Sequence, residues 1–163
     1  MVSMPTFPCE GGCACGAIRY RLLEDPLELH ICHCTDCQRV SGSAFVMSMA
    51  TQRKSLEVVR GETTTVEFDT PEGIHRREQR CPACESRLWS QPQAFPEIRT
   101  LRPGTLDDHG WLRPIAHIWT RSAQPWVEIP SDLLLYEGNP PDVLELVRAW
   151  KGRLTARLPI RGG

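Results

Sequence analysis

Three thiols within six residues restrict what this chain can fold into more than any other feature of its sequence. They belong to Cys32, Cys34 and Cys37. Because Cys32 and Cys34 are separated by one residue, both side chains point to the same face of an extended strand, and Cys37 joins them if the chain then turns tightly. Three thiolates this close together can occupy three corners of a tetrahedron around zinc, so the fourth ligand comes from elsewhere or that position stays open.

Four other cysteines form two pairs, one on each side of this trio. The pairs are Cys13 with Cys15 and Cys81 with Cys84. Two closed tetrahedral zinc sites need eight ligands, whereas one closed site and one open site need seven, and the three clusters supply seven thiols. We therefore predict two zinc ions per chain, a structural ion on the four outer cysteines and a catalytic ion on the trio. The outer site ties together segments about 70 residues apart, so metal binding would stabilise the fold directly.

Two further residues could close the central site instead. Cys9 is the remaining thiol, and it could also compete with Cys13 as a ligand or stay free. His33 lies between two members of the trio, so on an extended strand its side chain points away from them, and we favour a packing role for it. Arg39 is the predicted counter-charge of the thiolates, although the sequence fits a solvated arginine equally well.

Short alternating or β-branched segments along most of the chain predict a series of short strands. Ile18, Tyr20 and Leu22 alternate with arginines and indicate a half-buried strand. Further strands are predicted over residues 27–32, 44–50, 56–59, 63–68, 98–101, 117–119 and 126–129, with a hairpin between 56–59 and 63–68 and a helical turn over 35–40. On the strand at 117–119, His117 and Trp119 would share a face and could wall a pocket.

A helical pattern is found at the end of the chain. Pro141 and Asp142 are typical of a helix start, and apolar residues then recur near a 3.6-residue period through Leu154. We predict that this helix packs on the sheet or on a second copy of the chain, in which case it would form an oligomer. The predicted organisation is a zinc domain over residues 10–140 and a helical extension over residues 141–163.

Charge and hydropathy argue against several classes of function. The formal net charge is -1 at pH 7, which does not favour a general nucleic-acid or membrane-surface binder. No apolar stretch approaches the ~18 residues needed to cross a bilayer, and the first eight residues lack the basic and apolar regions of a signal peptide. Thiolates persist in a reducing compartment, so we expect a cytoplasmic protein that binds metal rather than one held together by disulfides.

Three segments of the chain resemble the glutathione-dependent formaldehyde-activating enzyme family, which includes the centromere-protein-V-like domains. They are residues 11–20, 32–45 and 81–84, with weaker matches at residues 104–108 and 117–119. The resemblance implies an all-β, Mss4-like architecture, also described as a β-tent. It implies the same metal assignment as the count of thiols, with structural zinc on the four outer cysteines and catalytic zinc on the trio.

The resemblance also implies an enzyme. In the family's named reaction, glutathione and formaldehyde combine to S-hydroxymethylglutathione, which is classed as a carbon–sulfur lyase reaction in the reverse sense. The expected partners are therefore a small-molecule thiol and an aldehyde. An open three-thiolate zinc site suits this chemistry, because the substrate thiol can take the fourth position as a thiolate and add to the aldehyde carbon.

Glu85 departs from the family pattern, which usually has glycine directly after the Cys-x-x-Cys pair. A glutamate at positive φ in this position would cost about 1 kcal/mol. Residues 68–79 also match the pattern poorly. Two other functions therefore stay as hypotheses: an interaction module in which both zinc ions are structural, and a redox sensor in which oxidation of the trio releases zinc.

Overall fold

Two β-sheets form most of the structure, a computed structural model that describes residues 4–71 and 73–153. Within those residues the strands are β1 (Cys9–Gly12), β2 (Arg19–Leu22), β3 (Glu28–Cys32), β4 (Val46–Gln52), β5 (Leu56–Arg60), β6 (Thr64–Asp69), β7 (His75–Arg80), β8 (Arg87–Ser90), β9 (Ile98–Leu101), β10 (Ala116–Ile118) and β11 (Leu134–Tyr136). The α-helices are α1 (Thr35–Ser41) and α2 (Val143–Gly152). The predicted all-β class is confirmed.

The strand order brings distant parts of the sequence together. The smaller sheet has the order β1-β2-β5 and is antiparallel. The larger sheet has the order β11-β10-β3-β4-β9-β8-β7-β6, in which β10 is parallel to β3 and β11 and the other pairs are antiparallel. Strand β3, which ends in Cys32, therefore lies between the next strand of the chain and one from much later in the sequence.

Side-chain alternation gives the larger sheet one apolar face and one polar face. Leu29, Met49 and Leu101 are paired directly across β3, β4 and β9, and each is 0% exposed. The neighbouring positions Glu28 and Thr100, which both pair with Ala50, point to the opposite face because successive side chains of a strand alternate. One face therefore packs into the core, and the other is left for polar groups.

The predicted hairpin between residues 56–59 and 63–68 is wrong. Strand β5 pairs with β2 in the smaller sheet, whereas β6 pairs with β7 in the larger one. Gly61 connects the two sheets with φ 77, and a Cβ at this position would lie 2.4 Å from the carbonyl oxygen of Ala17. The chain thus passes from one sheet to the other at this glycine, and β6 pairs with β7 over six residues.

The predicted strand at residues 126–129 is also wrong. The Val127 N–H donates to the carbonyl of Gln124 at 3.0 Å, which is a turn, and Trp126 is 72% exposed. Pro125 and Pro130 enclose this segment and have no N–H for a strand ladder.

Helix α2 begins where the sequence predicts. The Asp142 side chain accepts a hydrogen bond from the Leu144 N–H at 2.9 Å and so caps the helix. Leu146 and Trp150 are 4% and 1% exposed in the main core, and α2 packs on β3, which confirms the predicted packing on the sheet. Leu154 and the rest of residues 154–163 lie outside the described residues. Assembly through this helix stays a prediction.

Replacing Trp150 by alanine should lower the free energy of unfolding by about 3–5 kcal/mol, because a buried aromatic side chain is lost from the main core. Leu144→Ala is the control on the solvent side of the same helix, where the side chain is 57% exposed, and it should cost less than about 1 kcal/mol. Denaturant unfolding in zinc-containing buffer, followed by circular dichroism, measures both. Two equally small effects would mean that α2 does not stabilise the core.

Candidate metal centres and their cavity

The four outer cysteines come together as one group. All four Sγ atoms lie within 4.8 Å of one another, and they belong to Cys13, Cys15, Cys81 and Cys84. The Cys15 Sγ is 3.5 Å from the Cys13 Sγ and 3.8 Å from the Cys81 Sγ. A tetrahedral zinc ion with Zn–S bonds of about 2.3 Å places its sulfurs about 3.8 Å apart. The group that the sequence predicts therefore fits one zinc ion.

Hydrogen-bond donors around this group stabilise thiolates. The Ile18 N–H donates to the Cys13 Sγ at 3.2 Å, and the Ser86 hydroxyl lies 3.1 Å from the Cys84 Sγ. The hydroxyl and backbone N–H of Ser86 lower the pKa of the Cys84 thiol to about 5. Because zinc binds cysteine as the thiolate, these donors favour the form that a metal requires.

Glu85 takes the left-handed backbone conformation that the family usually gives to glycine. Its φ is 59, and its N–H donates to the Cys81 carbonyl at 3.0 Å. The turn that carries Cys81 and Cys84 is therefore closed in spite of the side chain. The cost is local strain of about 1 kcal/mol, because the left-handed region brings Cβ close to the following carbonyl oxygen.

The central trio is formed where a strand passes directly into a helix. Strand β3 ends at Cys32, and Cys34 is the N-cap of α1, with its Sγ accepting a hydrogen bond from the Cys37 N–H at 3.3 Å. This is the tight turn that the spacing requires. The three Sγ atoms lie within 4.8 Å of one another and form a group separate from the outer four.

Neither residue considered as a fourth ligand joins the trio. Cys9 lies against the Thr6 carbonyl, with its Sγ at 3.8 Å. His33 points away as predicted, and its Nε2 lies 2.8 Å from the Nδ1 of His117. Within residues 4–71 and 73–153, the group contains no fourth histidine, cysteine, aspartate or glutamate. The described chain thus offers three ligands at this site.

His117 and Trp119 do not share a face, contrary to the prediction. Strand β10 ends at Ile118, and Trp119 then has φ 59, so it leaves the strand alternation. His117 stays buried against His33, and burial together with the charge of His33 lowers its pKa to about 4. Trp119 instead lines a cavity, held by a hydrogen bond from its Nε1 to Asn139 Oδ1 at 2.8 Å.

A cavity of about 630 Å³ opens in front of the trio, on the polar face of the larger sheet. Its lining includes His30 and Ser48 from β3 and β4 and Thr100 from β9. The Nδ1 of His30 lies 2.7 Å from a carboxylate oxygen of Glu28, which orients the ring. Small-molecule sites commonly have volumes of about 300–1,000 Å³, so the cavity is large enough for a substrate.

The cations at this cavity were missed by the sequence analysis. They are Arg76, Arg77, Arg102 and Arg121, from β7 and from the segments after β9 and β10. Arg39, the predicted counter-charge, is exposed and does not line the cavity. The four arginines are far from the trio in sequence, and nothing local distinguishes them from solvated arginines. They meet the thiols only because the sheet pairs their strands.

Hydrogen bonds within the trio favour one thiolate and disfavour another. Those from Cys32 and Cys37 lower the pKa of the Cys34 thiol, and the charge of Arg76 lowers it further. The contact with Cys34 is the largest cause that raises the pKa of Cys32. Three thiolates in one place repel one another, so this donor set suits a bound divalent cation.

One rim of the cavity is tied directly to the trio segment. Gln38 Nε2 donates to the carbonyls of His33 and Ser122 at 2.7 and 2.8 Å, and the Ser122 hydroxyl donates to the same His33 carbonyl at 3.0 Å. The loop before Ser122 carries Trp119 and Arg121, whose guanidinium lies 4.5 Å from the centre of the Trp119 ring. These hydrogen bonds therefore fix the rim of the cavity relative to the segment that carries the thiols.

The sequence model of the family described as glutathione-dependent formaldehyde-activating enzyme matches residues 8–122. The chain belongs to this family. A protein of Halomonas elongata named "Putative glutathione-dependent formaldehyde-activating enzyme" is 26% identical over 152 residues, covering 89% of this chain and 95% of that protein. A crystal structure of a Rhodobacter sphaeroides protein aligns with a TM-score of 0.48 at 24% identity, covering 64% of this chain and 91% of that one.

Membership of the formaldehyde-activating family confirms the resemblance seen in the sequence. The match includes both groups of thiols, and strand β11 and helix α2 lie beyond it. The family is named for an enzyme that acts on glutathione and formaldehyde. Within the described residues, neither helix is long and apolar enough to cross a membrane.

Glu85→Gly should have a free energy of unfolding about 1 kcal/mol higher than a glycine variant at an unstrained exposed position. Both glycines add entropy to the unfolded chain, but only Glu85→Gly relieves the Cβ clash of the left-handed conformation. The matched control is Glu62→Gly, at an exposed position outside the left-handed region, which should be neutral or destabilising because glycine adds entropy to the unfolded chain. Urea unfolding with zinc present measures both. Equal losses of stability in the two variants would show that no strain is relieved at Glu85.

Proposed function

We propose that this protein is a zinc-dependent enzyme that joins a small thiol to an aldehyde and cleaves the same adduct in the reverse direction, as a carbon–sulfur lyase. Glutathione and formaldehyde are the proposed substrates. The observation that carries the proposal is the trio's position, with three thiols of one group in the wall of a cavity of about 630 Å³. The family match supports the choice of substrates.

The two groups of thiols have different proposed roles. Cys32, Cys34 and Cys37 would hold the catalytic zinc, and the four outer cysteines the structural one. When bound at the trio, zinc supplies a Lewis acid that favours the thiolate form of a substrate thiol at neutral pH. The trio itself lies in the cavity lining, whereas none of the outer four cysteines does, and this difference supports the assignment.

The proposed reaction needs no oxidant or reductant. The thiol sulfur forms a bond to the aldehyde carbon, the π electron pair of the carbonyl moves onto its oxygen, and that oxygen takes the proton that the thiol has given up. With formaldehyde, the product is a hemithioacetal that carries a hydroxymethyl group on the sulfur. The hydroxyls of Ser48 and Thr100 in the lining offer hydrogen bonds to an oxygen of this kind.

The charge of the cavity suits a thiol that carries carboxylates. Arg77 has an acidic partner, since its Nε lies 3.0 Å from Glu67. Arg121 lies on the Trp119 ring and forms no ion pair within the described part of the chain. A guanidinium held on an aromatic ring at a cavity rim is well placed to pair with a carboxylate of glutathione.

Metal analysis tests the two-site assignment. The purified protein should contain about two zinc ions per chain, and Cys34→Ala should contain about one while remaining folded, because the trio loses a ligand and the outer site does not. Cys9→Ala is the matched control, since this thiol lies outside both groups, and it should keep both ions. Elemental analysis measures the zinc content, and circular dichroism shows whether each variant is folded. One zinc ion per chain in the unmodified protein would contradict the two-site assignment.

Exchange NMR of formaldehyde with glutathione tests the reaction. The protein should accelerate the exchange over buffer, Cys34→Ala should abolish the acceleration, and Cys9→Ala should preserve it. No acceleration by the unmodified, zinc-loaded protein would exclude this pair of substrates.

Arg121→Gln should raise the KM for glutathione about tenfold with a smaller effect on kcat, because a charge-assisted hydrogen bond to a carboxylate is lost. The same variant should leave the KM for cysteamine, a thiol without carboxylates, unchanged. Arg113→Gln removes an exposed arginine that does not line the cavity and serves as the charge control. An equal loss with both thiols would mean that Arg121 shapes the rim rather than binding a carboxylate.

A further inference from the structure

Arg102 is a half-buried cation on the polar face of the larger sheet. It follows β9 directly, and its backbone N–H donates to the Leu88 carbonyl at 2.8 Å. Its Nη1 donates to the Ser48 hydroxyl at 3.0 Å, while its Nε is buried and has no hydrogen-bond partner among the described residues. A guanidinium withdrawn from water in this way is costly unless a negative charge lies close to it.

Two buried carboxylates line a second, small cavity beside Arg102, and both have other arginine partners. Asp36 is 7% exposed and lies 3.9 Å from Arg76. Glu78 is 2% exposed and lies beside Arg102 in the wall of the same cavity. Arg87 donates to both Glu78 carboxylate oxygens, through Nε at 2.9 Å and through Nη2. Arg80 donates to one of them through Nε and Nη2, at 3.1 and 2.8 Å. Two guanidiniums share one carboxylate, so this group has excess positive charge before Arg102 is counted.

The trio supplies the missing negative charge. Cys37 and Arg102 line both cavities together. Burial lowers the pKa of Arg102 to about 10 and Arg87 lowers it too, whereas Cys37 raises it, and the guanidinium stays charged at neutral pH. Three thiolates around a divalent ion keep one net negative charge. The thiols and Arg102 therefore carry opposite, unbalanced charges in one cavity.

We propose that Arg102 is the counter-charge of the trio, a positioning residue that stabilises its three thiolates and thereby the metal ion they hold. This inference rests on the proposed function in one respect, that the trio binds a metal. It goes further by assigning the cation. Arg76 also acts on Cys34 but lies 3.9 Å from Asp36, whereas Arg102 forms no ion pair among the described residues. Arg39, on the trio's own helix, is exposed, and water screens its charge. Arg102 is distant in sequence but lines both cavities together with Cys37.

Zinc affinity tests this role without any measurement of activity. Competition with a series of chelators determines the affinity of each site, and Cys34→Ala identifies which of the two belongs to the trio. Arg102→Gln should weaken zinc binding at the trio about 10- to 100-fold, the usual range for a group that supports metal ligands from outside. The outer site should not change.

Two further variants separate charge from shape. Arg102→Lys keeps the positive charge and should recover most of the lost affinity, although it cannot reproduce the geometry of the guanidinium. Arg39→Gln removes the same charge from an exposed position near the trio in sequence, and both zinc affinities should stay within about twofold.

Three results would overturn the inference. Unchanged zinc affinity in Arg102→Gln contradicts it, and if the KM for glutathione then rises, Arg102 binds substrate instead. Weaker binding at both sites, with a lower unfolding midpoint in Arg102→Gln and Arg102→Lys alike, makes Arg102 a purely structural residue. If Arg39→Gln lowers the zinc affinity of the trio as much as Arg102→Gln does, the position of the positive charge does not matter and Arg102 has no special role. The proposed function fails in a different way, if the unmodified protein binds a single zinc ion.

Discussion

The register between β3 and β4 is the constraint on which the rest of the structure depends. Leu29 pairs with Met49 and His30 with Ser48, so one alignment places the first pair in the core and the second in the cavity wall. A slip by one residue would exchange the two faces, burying polar groups and exposing apolar ones. The same register fixes where β3 ends, and hence where Cys32 presents its thiol.

Charge is distributed across this polar face in two opposing groups. The thiols of the trio come from one short segment, whereas the arginines that line the cavity arrive on β7 and on the segments after β9 and β10. Beside Arg102, Glu78 joins Arg80 and Arg87 in a further group of charges. A cavity built in this way attracts anions to its rim and concentrates thiolates at its wall.

The sequence predicted the features that depend on neighbouring residues or on the number of available metal ligands. The partition of seven thiols into four and three follows from ligand number, and the start of α2 follows from Asp142 and the period of its apolar residues. The predicted hairpin was wrong because it assumed that segments adjacent in sequence are adjacent in one sheet. Strand β6 instead pairs with β7 over six residues. Arg102 could not be predicted, because its distinguishing property is a place in the same cavity walls as Cys37, which the pairing of distant strands creates.

The two groups of thiols need very different lengths of chain in order to form. The trio needs only residues 32–37, whereas the outer group needs residues 13–15 and 81–84 to meet. During synthesis the trio therefore leaves the ribosome complete while half of the outer group is still untranslated, and loop-closure entropy further delays the second group. Strand β10, which flanks Cys32, emerges later still. The trio can thus compete for metal early in synthesis, before the later strands and loops that form the walls of its cavity have been made.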